Sequence, residues 1–229
     1  LGIKIIPNCI LLFLFLTWIS TIFVKKTKDI LKKDATSLLS TVLKPAVLGI
    51  LLSCFLMQLS HGPFYAFFAI YLTENSYSTN AIGIIWSLGV IAEILIFMKI
   101  SSWIPKYGLK NLFVISFLFA VFRWLLISLF PQNLAIVILA TLFHAITYGM
   151  YHAVSISLIH EYFTGILQGR GQALYSSVSF GLGGSLGSFY SGYLWEQVGG
   201  STVFLYAGLF AFLGFIVSFI LVKSNNRHI

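Results

Sequence analysis

Four residues in this sequence could carry proton or anion chemistry inside an apolar phase: His61, Glu93, Arg123 and His144. Each sits in an apolar run long enough to cross a bilayer, where a charged side chain costs about 2.5–3.5 kcal/mol on insertion scales. A carboxylate and an imidazole placed there can take up and release a proton. A guanidinium stays charged, biases their proton affinities and binds a carboxylate through two parallel hydrogen bonds. The competing readings are a plain structural ion pair between Glu93 and Arg123, and histidines that only hydrogen-bond across a helix interface. Counted at about 1.5 Å per residue, Arg123 falls roughly 10 Å, His61 and His144 roughly 16 Å, and Glu93 roughly 20 Å from the outer ends of their spans. All four groups therefore share one central slab.

Polar and aromatic neighbours line up beside them. Gln58, His61 and Tyr65 follow one another at i, i+3 and i+7, and Trp86 stands one heptad before Glu93. On a regular helix, His144, Tyr148, Tyr151, His152 and Ser155 fall within about 100° of arc. Such stripes point to a water-filled cavity. Glu93, His144 and His61 are the expected proton carriers, and Arg123, Gln58, Tyr65, Trp86, Tyr148, Tyr151 and His152 the expected substrate contacts. For the aromatics, lipid or core packing is the alternative, as it is for most of the 22 Phe.

The elements that hold these residues follow from composition. The 229 residues are 59% apolar and only 9% charged, far from a soluble domain and equally far from a disordered chain. The expected fold is all-α and polytopic, with seven transmembrane helices at about 20 residues each. They run over residues 3–24, 46–72, 80–101, 111–130, 133–159, 171–194 and 202–222. Organisation is expected as an extra helix at 1–24, a Lys-rich cytoplasmic loop at 25–45, a six-helix unit at 46–222 and a cytoplasmic tail at 223–229. The loop string KKTKDILKKDATSLLSTVLK could also lie as a short amphipathic helix on the inner membrane surface. The first apolar run lacks the short core and cleavage site of a signal peptide. A start at Leu1 rather than Met suggests the downstream part of a longer chain.

Twelve of the 14 basic residues fall on one side of this arrangement, the exceptions being Lys4 and Arg123. Basic residues near helix ends are retained in the cytoplasm, so the N-terminus is expected outside and the C-terminus inside. Topology thus accounts for the net charge of +8, and no nucleic-acid partner is expected. The sixth span, SSVSFGLGGSLGSFYSG, places Ser177, Gly181 and Ser185, then Gly183 with Gly187, then Gly184 with Ser188, at four-residue spacing. Small residues so spaced let helix backbones approach closely. Cys9 and Cys54 lie in apolar runs and suggest neither a disulfide nor a metal site. No GxxxxGK[ST], HExxH, GxSxG or CxxC pattern occurs, so no enzyme activity, metal or cofactor is expected.

The segments QLSHGPFYAFFAIYL, AIGIIWSLGVIAEI, FRWLL, LFHAITYGMYHA and GRGQALYSSVSFGLGGSLGSFYSGYLWEQVG resemble, in that order, the C-terminal half of the phenylpropionate permease family of the major facilitator superfamily. The resemblance covers nearly the whole chain. It implies a proton-driven carrier in a bacterial inner membrane, with twelve spans in two halves, of which this chain would be the sixth to twelfth. The implied partners are a small organic carboxylate, a proton, the lipid bilayer and the missing N-terminal half. The stretch Ser101 to Lys110 resembles a degenerate form of the superfamily's cytoplasmic signature. Lys106, Gly108 and Lys110 match as a gating loop, whereas Ser101 replaces a Gly and Pro105 an Asp. A looser similarity to the lactose permease group matches Glu93, Arg123 and His144 to its proton machinery. Thr147 and Tyr148 stand where that group has a further carboxylate.

A proton symporter of an aromatic or other organic carboxylate is the leading expectation, with a sugar or nucleoside symporter as its alternative. Readings of another class are a seven-helix receptor and an inactive carrier fragment. A retinal protein would need a Lys in the last span, and 202–222 has none.

Overall fold

The structure is a computed structural model and describes residues 5–23 and 37–224. The expectations for Lys4, Lys25, Lys26, Lys28, Lys32, Lys33 and Arg227, and for most of the amphipathic segment, lie outside these residues. The chain divides into two compact units, Leu1–Lys32 and Lys33–Ile229. The first contains α1 (Ile5–Ile22), on which Leu11, Phe13 and Trp18 are exposed.

The second unit begins with a short helix, α2 (Leu38–Val42), capped by Ser37, whose Oγ accepts the Ser40 amide. Next comes α3 (Pro45–Glu74), opened by a proline that has no amide hydrogen to leave unpaired. The helix α4 (Thr79–Tyr107) is capped by Ser78 and followed by α5 (Leu109–Leu129). A single rod then joins α6 (Leu134–Leu142), capped by Asn133, a π-helical segment Ala145–Met150, and α7 (Tyr151–Tyr162). After a 3-10 turn at Gly165–Leu167 come α8 (Gln168–Ser176), a second π-helical segment Ser177–Gly184, and α9 (Ser185–Leu221). No strand occurs among the described residues. The all-α, membrane-spanning architecture expected from hydropathy is the one found.

Five described helical stretches are long and apolar enough to cross a membrane, and the last of them, Gly165–Leu221, has 57 residues. Straight, it would measure about 85 Å, nearly three times the roughly 30 Å apolar core of a bilayer. It is not straight, because Gly199 takes φ 76° and ψ 157° inside it. Along α3, Gly62 abuts Gly187, Tyr71 meets Gly200, and Gly49 meets Leu221. Residues on both sides of Gly199 thus run beside the same helix, one arm leading toward the C-terminal end of α3 and the other away from it. The stretch is a helical hairpin, and the expected sixth and seventh spans are its two arms.

The turn is locked beside the C-terminal end of α3. Tyr71 Oη lies 2.8 Å from Ser201 Oγ and donates to the Ile127 carbonyl at 3.2 Å, while Ser128 Oγ donates to the Ser201 carbonyl at 2.7 Å. Trp195 Nε1 donates to Glu74 Oε1 at 3.2 Å. At the opposite end the expected connection Ser102 to Lys110 shrinks to one residue. Gly108, at φ 78°, reverses the chain by itself in a backbone conformation that a side chain would strain, so α4 continues through Pro105 to Tyr107.

The hub of this unit is α3, apolar on all sides and buried along most of its length, as a central helix must be. Its Phe64 and Phe68 pack with Trp124 of α5 and Phe204 of α9. Against the first arm of the hairpin it has no room for side chains. A Cβ on Gly183 would come within 2.6 Å of the Phe55 carbonyl oxygen, and one on Gly187 within 2.7 Å of that of Leu59. Pro63 has no amide hydrogen for that same Leu59 carbonyl, so the oxygen freed by the proline is the one that faces Gly187. Substituting Gly187→Val should therefore force the two helices apart at a cost on the order of 1–3 kcal/mol or more. The expected outcome is a marked loss of folded protein in the membrane, measured by thermal stability in detergent. Unchanged stability would contradict this packing.

Candidate functional site

The helix α3 also places His61, fully buried. His61 Nδ1 lies 2.9 Å from the Met57 carbonyl one turn back, and its ring meets Trp124 edge-on at 4.9 Å. Trp124 Nε1 in turn donates to Ser60 Oγ at 3.3 Å. The imidazole is thereby fixed from both sides.

Arg123 of α5 lies at the centre, with no exposed surface. Its NH1 stands 3.2 Å from His61 Nε2, 3.1 Å from His144 Nδ1 and 3.0 Å from Thr147 Oγ1. A guanidinium can only donate, so the two hydrogens of NH1 are shared among these three acceptors. That settles both tautomers. His61 carries its proton on Nδ1 and gives it to Met57, while His144 carries its proton on Nε2. The guanidinium packs on the rings of Phe64 and Trp124, 4.1 and 4.4 Å from their centroids, contacts in which the ring faces attract the cation. Its Nε and NH2 have no hydrogen-bond partner among the described residues.

The protonated edge of His144 faces α4, where Glu93 Oε2 lies 3.7 Å from Nε2. Glu93 and Arg123 are not a direct ion pair. His144 stands between them, and the four groups read off the sequence form one chain: His61, Arg123, His144, Glu93. One glycine makes room for the Glu93 side chain, and a second lets α4 approach Thr141. A Cβ on Gly149 would come within 2.9 Å of Glu93 Cγ, and one on Gly89 within 3.0 Å of Thr141 Cγ2.

The π-helical segment Ala145–Met150 sets the phase of the side chains beyond His144. Its wider turn keeps residues four apart nearly superposed, a register common where π-segments serve a site. His144 stacks on Tyr148 at 5.1 Å and 9°, and Tyr148 on His152 at 6.0 Å and 7°. His152 Nδ1 then meets Tyr175 Oη of α8 at 2.9 Å. Tyr151, placed in the same stripe by the regular-helix reading, leaves it. It is fully buried, donates to the Cys54 carbonyl at 3.3 Å and packs on Phe113 and Phe117. Ser155 also points into that core, where its Oγ lies 3.6 Å from Cys54 Sγ.

Beside the polar chain runs an open groove of about 420 Å³. One wall is Gln58, Gly62 and Tyr65 of α3, the middle is Tyr148, and the other wall is Phe180, Gly184, Ser185 and Ser188. Tyr65, 47% exposed, joins groove to chain, its ring 6.1 Å from both His61 and His144. Gln58 is 2% exposed, and its amide nitrogen has no partner among the described residues.

The remaining expected residues scatter. Trp86 packs on Phe64 at 4.6 Å, behind the ring that touches Arg123. Lys106 and Lys110 flank the Gly108 turn, each over an aromatic ring. Of the small-residue stripes, Gly183 and Gly187 form the α3 contact. Gly184, Ser185 and Ser188 line the groove, while Ser177 and Gly181 are exposed. Thr147, Gly149, Phe64 and Tyr175 complete the site without having been singled out for these roles. Thr147 carried a signal, since it stood where a carboxylate was expected.

The family described as the MFS_1 like family matches residues 1–206 of the chain. The uncharacterized transporter YwbF of Bacillus subtilis (strain 168) is 25% identical over 205 residues, covering 89% of this chain and 50% of its own length. The probable 3-phenylpropionic acid transporter of Escherichia coli (strain K12) is 30% identical over 148 residues, covering 63% of this chain and 38% of its own length. The chain thus spans about half the length, or less, of these curated relatives. Among solved structures it is similar to a mutant of the nucleoside transporter NupG, with a TM-score of 0.69 over 84% of this chain and 54% of that one. At 17% identity that likeness shows the fold alone. These relatives carry the names of transporters rather than enzymes or receptors. The chain belongs to the MFS_1 like family of the major facilitator superfamily and is a multi-pass membrane protein.

Proposed function

We propose that the chain forms the C-terminal half of a secondary transporter that moves a small aromatic or other organic carboxylate together with a proton. In this reading residues 1–24 are the sixth span of the carrier, 25–45 its central cytoplasmic loop, 46–222 the six-helix half and 223–229 the tail. The one-sided distribution of basic residues supports an outer N-terminus and a cytoplasmic C-terminus in a bacterial inner membrane. The relative whose name refers to 3-phenylpropionic acid supports the substrate class.

The observation that carries the reading is Arg123 NH1 held between His61 and His144, with Glu93 on the far side of His144. Buried ionisable groups across a membrane-spanning unit mark ion pathways. His144 has one free position for a further proton, Nδ1, and Arg123 already occupies it. A proton arriving at this pair therefore rests on Glu93 unless the arginine lets go. His61, held by Met57 and Arg123, steadies the arginine. The substrate occupies the groove, between Gln58 and Tyr65 on one side and Phe180 and the serines on the other, with Tyr148 and His152 continuing the aromatic wall. Arg123 acts on it through the histidines and its field, because its guanidinium is buried and does not line the groove. A neutral ring with hydrogen-bonding groups, as in a sugar or nucleoside symporter, is the second reading, favoured by the neutral lining of the groove.

Glu93→Gln, introduced into the gene in full, should abolish uphill accumulation of substrate in cells with an imposed proton gradient. Uphill uptake at the wild-type rate would remove Glu93 from the coupling, and absence of any uptake by the wild type would favour an inactive carrier. Arg123→Lys keeps the charge but loses the planar guanidinium that packs on Phe64 and Trp124 and holds NH1 among its acceptors. A loss of about 1.5–3 kcal/mol is expected for hydrogen bonds to a charged group, so uptake should fall roughly tenfold to a hundredfold at equal protein levels. Wild-type transport by this variant would contradict the central place given to the guanidinium.

A further inference from the structure

We propose that the groove takes its substrate in electrically neutral form, so that an aromatic acid crosses with its carboxyl group protonated. This rests on the reading of the groove as the substrate site. Every polar group in the lining is neutral: the Gln58 amide, the Ser185 and Ser188 hydroxyls and the Tyr65 and Tyr148 phenols. The only cation deep in the unit among the described residues, Arg123, is absent from that lining and fully buried, with NH1 held among three acceptors and Nε and NH2 without a partner among the described residues.

The charged and titratable groups around the groove are His61 on α3, Glu93 on α4, Arg123 on α5, His144 and His152 on the α6–α7 rod, and Tyr175 on α8. The tautomers fixed by Arg123 keep His61 and His144 neutral. While Glu93 is ionised its charge and that of Arg123 balance, and a substrate carboxylate would then add one uncompensated negative charge beside a lining that holds no cation. Burying such a charge without a partner is far costlier than burying a neutral carboxyl group.

Gln58 supplies the complementary contact. Its amide nitrogen is buried, unpartnered among the described residues and part of the groove wall. A protonated carboxyl group can meet a primary amide with two hydrogen bonds, the amide N–H donating to the acid carbonyl and the acid O–H donating to the amide oxygen. A carboxylate can use only the first. Glu93, which like Arg123 lies outside the lining, is the source of the proton, and water carries it into the groove. The O–H bond on its carboxyl breaks as an O–H bond forms on the substrate carboxylate, leaving Glu93 anionic beside His144 and the substrate neutral. In the cytoplasm the acid, with an ordinary carboxyl pKa of about 4, releases the proton to water.

The test uses labelled phenylpropionate uptake into vesicles from cells expressing the gene in full, with phenylpropionamide and phenylpropanesulfonate as competitors. The amide should compete within about threefold of the acid's own affinity, and the permanently charged sulfonate should be weaker by about a hundredfold or more. Equal competition by the sulfonate, or none by the amide, overturns the proposal. Glu93→Gln should lose acid accumulation yet keep saturable binding of labelled amide. Loss of amide binding at an equal membrane level removes Glu93 as donor. Ser185→Trp, which fills the groove, separates the two levels of inference. Transport that survives it shows that the groove is not the substrate site, whereas a blocked Ser185→Trp with an inert amide refutes only the neutral form. If labelled phenylpropionate does not enter, direct amide binding is the readout, and its absence or its insensitivity to Ser185→Trp refutes the proposal.

Discussion

A single guanidinium nitrogen sets the order of this unit's centre. Arg123 has a charge that costs several kcal/mol at mid-membrane, and no carboxylate among the described residues touches it. Its charge is met by two imidazole nitrogens, a hydroxyl and two aromatic faces. None of these partners is ionised, so the arrangement is held by direction rather than by opposite charge. That direction propagates. It decides which edge of His144 carries a hydrogen, and hence that Glu93 faces a donor.

The same constraint ties local backbone irregularities to chemistry. Pro63 removes one hydrogen bond from α3 two residues after His61, where the helix also meets Gly187 edge to edge. The π-helical turn after His144 holds Tyr148 and His152 in a stack above the imidazole. Gly149, inside that turn, leaves the space in which the Glu93 side chain lies. Pro63 and the π-helical turn thus lie beside groups of the polar chain and the groove.

Much of this was legible from residue types. Hydropathy located the spans, and even the hairpin hidden inside the 57-residue helical stretch was readable, because the polar and small residues around Gly199 interrupt the apolar run. Depth counting put His61, Glu93, Arg123 and His144 at one level, and the structure joins them. What it could not give was phase. A π-segment has no residue signature in a single sequence, so Tyr151 was assigned to the groove side although it lies in the core. Nor does a sequence say who accepts from Arg123. An ion pair with Glu93 was the simpler expectation, and the insertion of His144 depends on helix rotation. The Gly108 turn replaced a nine-residue loop for a local reason: one glycine at positive φ suffices to reverse the chain.

The contact of Gly183 and Gly187 with α3 has a mechanical meaning as well. Where side chains mesh, they can hop between rotamers and let two helices slide; where backbone lies on backbone there is nothing to hop. The first hairpin arm and α3 therefore behave as one stiff beam. Compliance is left to contacts made through longer side chains, such as that of His144 with Glu93 between the α6–α7 rod and α4. Glu93 reaches across that contact, so any shift between α4 and the rod is felt at the unit's one deeply placed carboxylate among the described residues.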